Sequence, residues 1–300
     1  MISTKNESEV STRVWNGLKW LYDTEDRTAL ELTRDLIIAL ILGMVEGATE
    51  FVPVSSTGHL IIAGHLLDFT GTRASTFEIF IQLGAILAVA MLYKDRILLL
   101  FTLEPRFPGT PKLAGMRGLA LLGLTTLPAL VLGVVSYATI KAQLFNPTTV
   151  AIGLGLGGVA ILLVEPRVPE ARFNDLDALS WREALGIGMF QCLALWPGVS
   201  RAAATILGGM LLGLDRKTSA EYSFLVALPT ILAAVGYDLV QNLGALQITD
   251  VPLFATGFAA AFLAAWMAVT FFLRLLASNS LRSFGWYRIA VALFVLTALV

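Results

Sequence analysis

The chain has 300 residues, of which 56% are hydrophobic and only 14% are charged, and its mean hydropathy is +0.76. Soluble proteins carry about 25% charged residues, so this composition excludes a soluble globular protein and indicates a polytopic membrane protein. The net charge of −1 argues against nucleic acid as a partner. The single cysteine, Cys192, excludes an internal disulfide and is best read as a small buried hydrophobic residue.

The N-terminal extension, residues 1–35, is polar, carries both charge signs and has apolar residues interleaved. This pattern fits either a short amphipathic helix at the membrane interface or a disordered tail, and we expect no catalytic role for it. The first apolar run starts near Leu36 and no cleavable signal precedes it. Residues 36–300 are therefore predicted to form a single transmembrane catalytic domain.

Two carboxylates, Glu46 and Glu50, lie within the first apolar region, residues 36–68. An ionisable side chain at a bilayer centre costs about 2.5–3.5 kcal/mol, so the pair needs a functional explanation. Residues four apart share one face of a helix, and carboxylates that close repel each other until they take up a proton or a cation. Both outcomes suit acid–base or metal-assisted phosphoryl chemistry. The alternative is a solvated pair at a helix end.

The same region is broken by Pro53 and by a polar turn. The residues of the turn are Ser55, Ser56, Thr57 and Gly58, and His59 follows it. A turn that leads into a helix exposes backbone N–H groups to phosphate oxygens, although the hydroxyl groups could equally cap the second half-helix. We expect His59 to be functional, whereas His65 is a weaker candidate.

Six further apolar runs are long enough to cross the hydrocarbon core, which takes about 20 helical residues. They are residues 76–93, 115–139, 148–164, 219–241, 252–273 and 287–300. Residues 36–68 and 184–213 are instead interrupted by proline and polar residues, and such backbone survives at membrane depth only where protein or a wet cavity surrounds it. We predict an all-α fold with about six spanning helices and two re-entrant helical hairpins.

Lysine and arginine cluster in the 94–117, 165–183 and 274–288 loops, which predicts that these loops are cytoplasmic. The 242–251 loop has neither residue and is predicted to lie outside. These assignments agree only if each hairpin returns to the side it entered. The first hairpin then enters from outside and the second from the cytoplasm.

An internal repeat matches this inversion. Pro53 and Pro197 differ by 144 positions, and Glu78 and Glu221, which each lie near the start of a span, differ by 143. Repeat 1 covers about 36–95 and repeat 2 about 181–240, with chance similarity of apolar segments as the alternative. An inverted repeat with broken helices places the site at the repeat interface near the midplane, so both glutamates are candidates.

The second broken region contains an anion-binding motif. Its residues are Pro197, Gly198, Ser200, Arg201 and Thr205. A guanidinium binds phosphate through two parallel hydrogen bonds, and Pro197-Gly198 lets the backbone approach closely. An arginine that snorkels to the interface is the alternative. The glycine run at 153–158 follows no strand, so we assign it to helix packing.

These stretches resemble the bacitracin-resistance type of undecaprenyl-diphosphate phosphatase. The matching stretches are Glu46 to His59, Phe77 to Ala88, Pro197 to Thr205, Ser219 to Phe224 and Trp286 to Ile289. The resemblance implies re-entrant hairpins related by an inverted repeat and hydrolysis of the terminal phosphate of C55 undecaprenyl diphosphate. That reaction regenerates the carrier lipid for peptidoglycan synthesis and confers bacitracin resistance. Two departures are Ala202, where the family commonly has serine, and the N-terminal extension.

The resemblance also implies the setting of the site and its residues. It implies the bacterial cytoplasmic (inner) membrane, a site open to the periplasm and a divalent cation, Mg²⁺ or Ca²⁺, at Glu46 and Glu50. The predicted catalytic residues are Glu46, Glu50, Ser56, His59 and Arg201. The predicted substrate-binding residues are Ser55, Thr57, Gly198, Ser200, Thr205 and Glu221. The expected partners are the undecaprenyl diphosphate substrate and membrane lipid, and a homodimer stays open.

The nucleophile also stays open at this stage, because His59 could serve as nucleophile, base or acid, and Ser56 could attack with Glu50 and His59 assisting. The principal alternative function is a transporter or flippase of a polyprenyl phosphate lipid, since inverted repeats with broken helices are transporter architecture. A phosphatase of the acid-phosphatase superfamily is less consistent, because that class needs a second histidine and this chain has none after His65.

Overall fold

A computed structural model of the chain describes residues 30–102, 113–242, 248–276, 279–298 and 300. This part of the chain is helical, and its only strand-like pairing is an isolated bridge between Phe173 and Leu214. Most of the predicted N-terminal extension lies outside the described residues. The helices are α1 (30–49), α2 (Ser56–Leu66), α3 (Thr72–Leu92), α4 (Lys94–Leu100), α5 (Gly115–Thr139), α6 (Pro147–Val164), α7 (Trp181–Gln191), α8 (Arg201–Leu211), α9 (Arg216–Asn242), α10 (Val251–Leu276) and α11 (Arg282–Ala298).

Five helical segments of the described chain are long and apolar enough to cross a membrane, which makes this a multi-pass membrane protein. They are Thr72–Leu92, Gly115–Thr139, Pro147–Arg167, Arg216–Asn242 and Ile248–Leu276. The sixth predicted span corresponds to α11, which has 17 residues. At 1.5 Å per residue that helix is about 26 Å long, somewhat short of a ~30 Å hydrocarbon core.

Helices α1 and α2 form the first predicted hairpin, and side-chain contacts show that its two ends lie together. Arg73, just after the hairpin, donates to Asp35 near its start at 3.1 Å. The same guanidinium donates to Asp250, in the turn before α10, at 2.7 Å. The chain therefore enters and leaves this hairpin at the end of the molecule where α10 begins.

Helices α7 and α8 form the second hairpin, which opens at the other end. The carbonyl of Gly213, after α8, accepts from the backbone N–H groups of Arg172 and Phe173 at 2.8 and 2.9 Å, in the loop before α7. That loop is tied to α4, which directly follows the C-terminal end of α3, because Arg96 of α4 pairs with Asp177 at 3.5 Å. Since α3 covers 21 residues, or about 31 Å, the two hairpins enter from opposite ends of the protein. The predicted inversion of the hairpins is confirmed, while the repeat boundaries and the sides of the membrane stay predictions.

The largest hydrophobic cluster of the described residues packs α3, α8, α9 and α10 together and includes Phe51 of the first hairpin tip, the turn at 50–55. Phe51 is fully buried and meets Phe224 of α9 edge to face at 5.4 Å between ring centroids. Phe224 also contacts Phe272 of α10 at 6.3 Å. Such aromatic pairs add about 0.5–1.5 kcal/mol beyond area burial, so this cluster fixes the first tip against α9.

Glycines allow the helices near the tips to approach closely, as predicted for the run at 153–158. A Cβ on Gly158 of α6 would lie 2.7 Å from the carbonyl oxygen of Gly285 on α11. A Cβ on Gly153 would lie 2.3 Å from the carbonyl oxygen of Pro197 in the second tip. Helix α6 therefore packs directly against both α11 and a hairpin tip.

Arg288 differs from its predicted position. The positive-inside count placed it at the end of a cytoplasmic loop, but α11 already begins at Arg282 and Arg288 is fully buried within it. The positive-inside count treats every arginine near the end of a span as part of a loop, whichever way its side chain points. Here the side chain points into the protein, toward the hairpin tips.

Candidate active site

The two hairpin tips meet with the same local backbone. Ser55 precedes α2 with φ 73°, and Ser200, 145 positions later, precedes α8 with φ 74°. Each hydroxyl caps its helix, accepting from the N–H of Gly58 at 3.3 Å and of Ala203 at 3.1 Å. Left-handed φ is unfavourable for serine, and helix N-termini attract anions. Both tips thus use strained turns that aim a helix N-terminus into one shared space.

An ion pair joins the tips. Arg201 Nη2 donates to Glu50 Oε1 at 2.9 Å, and their side chains are only 12% and 9% exposed. The hydroxyl of Ser56 donates to the other carboxylate oxygen of Glu50. The Glu50 carboxylate therefore receives a guanidinium from the second hairpin and a hydroxyl from the first.

Helix α9 holds the Arg201 guanidinium in place. Its Nη1 atom donates to the carbonyl oxygen and to Oγ of Ser223 at 3.0 and 3.2 Å. Thr205 Oγ1 lies 2.7 Å from Ser223 Oγ and donates to the Arg201 carbonyl at 2.8 Å. Thr205 therefore supports the arginine through Ser223. The buried Nε of Arg201 has no hydrogen-bond partner in the described structure.

Glu46 lies one helical turn before Glu50 on α1 and is fully buried. Neither of its carboxylate oxygens has a hydrogen-bond partner among the described residues. An orphaned buried carboxylate is costly, so this position needs a proton or a cation. No group of three or more His, Cys, Asp or Glu side chains suited to a metal is found in the described chain. The two glutamates still fit Mg²⁺, which proteins usually bind through one or two carboxylates together with substrate phosphates.

His59 faces α11 instead of the ion pair. Its Nδ1 lies 2.8 Å from the carbonyl oxygen of Ser55, and its Nε2 lies 2.9 Å from the hydroxyl of Tyr287, whose ring stacks on the imidazole. Within the described structure it makes no hydrogen bond to Glu50, Ser56 or Arg201 and does not line the cavity. The structure thus places His59 at the start of α2, between the first hairpin tip and α11, and its predicted catalytic role stays a prediction.

A cavity of about 300 Å³ opens from the tips between α5 and α9. The polar residues at the tip end are Glu50, Ser55, Ser56, Thr57, Ser200 and Arg201. The apolar wall includes Ala129, Leu130, Gly133, Val134, Ile231 and Ala234. At the far end Tyr137 donates to Asp238 at 2.6 Å, about 22 Å along α9 from Ser223. One end therefore suits an anion, and the long wall suits a hydrocarbon chain.

Three further candidates from the sequence lie away from this cavity, and Glu46, His59 and Thr205, described above, do not line it either. Glu221 is near the start of α9, 3.9 Å from Lys217 and two residues from Ser223, so the helix turns it away from Arg201. Glu78 is buried on α3 but is not on the cavity wall, and His65 is exposed. Ala202, which stands where the family commonly has serine, is fully buried and does not line the cavity.

Sequence reasoning missed Ser223, Tyr287 and Arg288. All three lie in stretches that the resemblance had already marked. Ser223 follows Glu221 by two positions, so the two side chains point to different faces of α9. The sequence could have favoured Ser223 only if the face of α9 that packs against α8 and Arg201 were known. For Arg288 the signal was a lone arginine within an otherwise apolar span, which deserved the functional reading given to Arg201.

These features define a class of protein: a polytopic membrane protein whose buried acid–arginine site lies at the end of an apolar cavity, suited to an anionic lipid. Comparison with known families makes this specific. The chain belongs to the family described as bacitracin resistance protein BacA, whose model matches residues 39–294.

Curated relatives of this chain carry one name across distant bacteria. The chain is 56% identical over 258 residues to an undecaprenyl-diphosphatase of Nitratidesulfovibrio vulgaris, covering 86% of this chain and 96% of that protein. It is 55% identical over 262 residues to the undecaprenyl-diphosphatase of Maridesulfovibrio salexigens, covering 87% and 97%. It is 48% identical over 259 residues to undecaprenyl-diphosphatase 1 of Bacillus thuringiensis, covering 86% and 96%.

Proposed function

We propose that this chain hydrolyses undecaprenyl diphosphate to undecaprenyl phosphate and inorganic phosphate. The observation that carries this function is the Glu50–Arg201 pair, with the Ser56 hydroxyl bonded to the same carboxylate, at the polar end of an apolar cavity. The enzyme thereby recycles the lipid carrier for peptidoglycan and other envelope polymers, and bacitracin resistance follows from that activity.

Arg201 and the two helix N-termini bind the diphosphate. A guanidinium bonds phosphate oxygens in a fork, and the N–H groups at the starts of α2 and α8 face the same space. Phosphoryl transfer depends mainly on positioning and charge neutralisation, and both come from the tips.

Ser56 is the nucleophile in this proposal, because its hydroxyl already donates to Glu50, the base. Its oxygen bonds to the terminal phosphorus while the bond from that phosphorus to the bridging oxygen breaks. Glu50 takes the serine proton and gives it to the departing undecaprenyl phosphate. Water then attacks the phosphoserine, Glu50 takes a proton from the water, and Ser56 receives that proton as phosphate leaves.

Glu46 and Glu50 would hold a divalent cation, Mg²⁺ or Ca²⁺. The orphaned oxygens of Glu46 beside Glu50 support this assignment. A cation bound there would neutralise negative charge on the phosphate oxygens. Glu50 lines the cavity beside Ser56, and Glu46 lies one helical turn before Glu50 and is fully buried.

The apolar wall between α5 and α9 receives the first isoprene units of the lipid. Small side chains at Ala129, Gly133 and Ala234 leave room for a chain beside the polar tips. The charge count and the family favour a bacterial cytoplasmic membrane with the site open to the periplasm. Assembly as a homodimer stays a prediction.

Release of phosphate from undecaprenyl diphosphate by the purified full-length protein tests the function. We expect multiple turnovers by the unaltered protein and severe loss on Arg201→Ala. A protein that only moves a polyprenyl lipid across the membrane would release no phosphate, and that result would refute the proposal.

A further inference from the structure

Arg288 is the most extensively bonded arginine near the site, and it is bonded to carbonyl oxygens. It is fully buried on α11, and none of the ion pairs in the described part of the chain includes it. The five acceptors of its guanidinium are the carbonyl oxygens of Leu154 (3.3 Å), Pro53 (3.1 Å), Gly153 (3.2 Å), Gly198 (2.7 Å) and Val199 (2.9 Å).

Three of these acceptors belong to the hairpin tips, and the other two, Gly153 and Leu154, belong to α6. Pro53 lies midway between Glu50 and Ser56 in the first tip, and Gly198 and Val199 directly precede Ser200 in the second. One rigid guanidinium thus holds the turn that carries the base and nucleophile and the turn that carries Arg201. A planar fork of donors fixes both distance and orientation, which a flexible lysine ammonium does not.

Helix α6 provides the space for this guanidinium. A Cβ on Gly157 would lie only 1.9 Å from Arg288 Nη2, so any side chain at that position must push the guanidinium aside. A Cβ on Gly155, two residues earlier, would lie 3.6 Å from Ala292 Cβ, which is an ordinary contact. The chain therefore keeps one glycine for helix packing and another to seat the arginine.

We propose that Arg288 is a positioning residue for phosphoryl transfer, acting by locking the two hairpin tips at the separation that aligns Ser56 and Glu50 with Arg201. Burial of a charge without an acidic partner is costly, and carbonyl dipoles alone compensate it here. A structural tie could be made without a buried charge, whereas alignment of two turns from separate hairpins requires donors that reach both. This inference rests on the proposed function.

The test compares kcat and KM for undecaprenyl diphosphate in four variants, with kcat expressed per folded molecule after size-exclusion chromatography and thermal unfolding in detergent. Arg288→Lys keeps the charge and loses the fork. Gly157→Ala keeps the arginine and displaces its guanidinium, and Gly155→Ala is its matched control. Arg216→Met is a control for loss of a purely structural arginine, because Arg216 pairs with buried Glu165 at 2.9 Å, remote from the tips.

Misplacement of reacting groups by 1 Å can cost about 10²-fold, so we expect kcat to fall on the order of 10- to 10²-fold in Arg288→Lys and Gly157→Ala, with KM nearly unchanged. Gly155→Ala and Arg216→Met should keep their kcat per folded molecule. Unchanged kcat in folded Gly157→Ala would overturn the proposal, as would an equal loss in both glycine variants. If Arg288→Lys does not fold, the glycine pair alone decides. A failure of the proposed function is distinct, since the unaltered protein would then release no phosphate.

Discussion

Glu50 and Arg201 lie 151 positions apart in the sequence and form a 2.9 Å ion pair where two hairpin tips meet. Each residue comes from a helical segment that does not cross the membrane, and the two segments enter from opposite ends of the protein. The pair forms because both hairpin segments of the chain turn back at the same depth. Each tip also begins its second helix with a capping serine at positive φ.

Substitution of Glu50 tests its role as the base. Glu50→Gln keeps the shape of the side chain but cannot accept the Ser56 proton, so we expect kcat to fall about 10²–10⁴-fold. Steady-state phosphate release from undecaprenyl diphosphate measures this. The control is Glu221→Gln, because Glu221 faces Lys217 outside the cavity, and it should stay close to the unaltered protein. A large loss in the control would restore Glu221 to the site.

Substitutions of Ser56 and His59 test which of the two is the nucleophile. Ser56→Ala removes the attacking oxygen, so turnover and any trapped phosphoenzyme should both disappear, whereas Ser75→Ala, on the exposed start of α3, should change neither. His59→Gln should reduce kcat less than Ser56→Ala does, because His59 bonds Ser55 and Tyr287 and makes no described bond to Glu50. A phosphoenzyme that survives Ser56→Ala and is lost in His59→Gln would reverse this assignment.

The apolar wall predicts an effect on KM. In Gly133→Leu the new side chain would enter the cavity, because a Cβ there already lies 3.4 Å from Leu195. Loss of binding that is equal in ground state and transition state raises KM and leaves kcat unchanged. We expect a rise in KM of about tenfold, equivalent to roughly 1.4 kcal/mol. Gly123→Leu on the same helix, where nothing lies within 4 Å, is the control, and equal effects in both would refute the wall as the lipid site.

Cation dependence tests Glu46. Removal of divalent cations with a chelator should lower kcat, and added Mg²⁺ should restore it. In Glu46→Gln one charged ligand is lost, so the Mg²⁺ concentration for half-maximal activity should rise by about tenfold or more. If a chelator does not change the activity of the unaltered protein, the metal assignment is wrong and the buried Glu46 carboxyl group is protonated.

Much of the architecture could be predicted because the membrane limits the choices. Pro53 and Pro197 interrupt apolar runs at depth, where only a protein-enclosed turn is tolerated, so the hairpins followed directly. Glu50 and Arg201 stood out because their burial is expensive without a function. Both arguments concern the free-energy cost of placing polar or charged groups in a bilayer, and the sequence alone shows where that cost arises.

The remaining features depend on which face of a helix meets which neighbour. Glu221 and Ser223 are two residues apart on α9, and only the packing of α8 decides that Ser223 faces Arg201. His59 follows the capping turn as predicted, but Tyr287 of α11, 228 positions away, sets the direction of its ring. Arg288 was assigned to a loop because charge counting does not distinguish a side chain that points inward.

The most direct test of a shared site is a double-mutant cycle on phosphate release with Glu50→Gln, Arg201→Gln and both together. When two residues act as one unit, substituting either of them already removes their joint contribution to catalysis. We therefore expect kcat of the double variant to be within about fivefold of kcat of the less active single variant. Losses that multiply would mean that the carboxylate and the guanidinium act independently, which contradicts a single site built from the two hairpin tips.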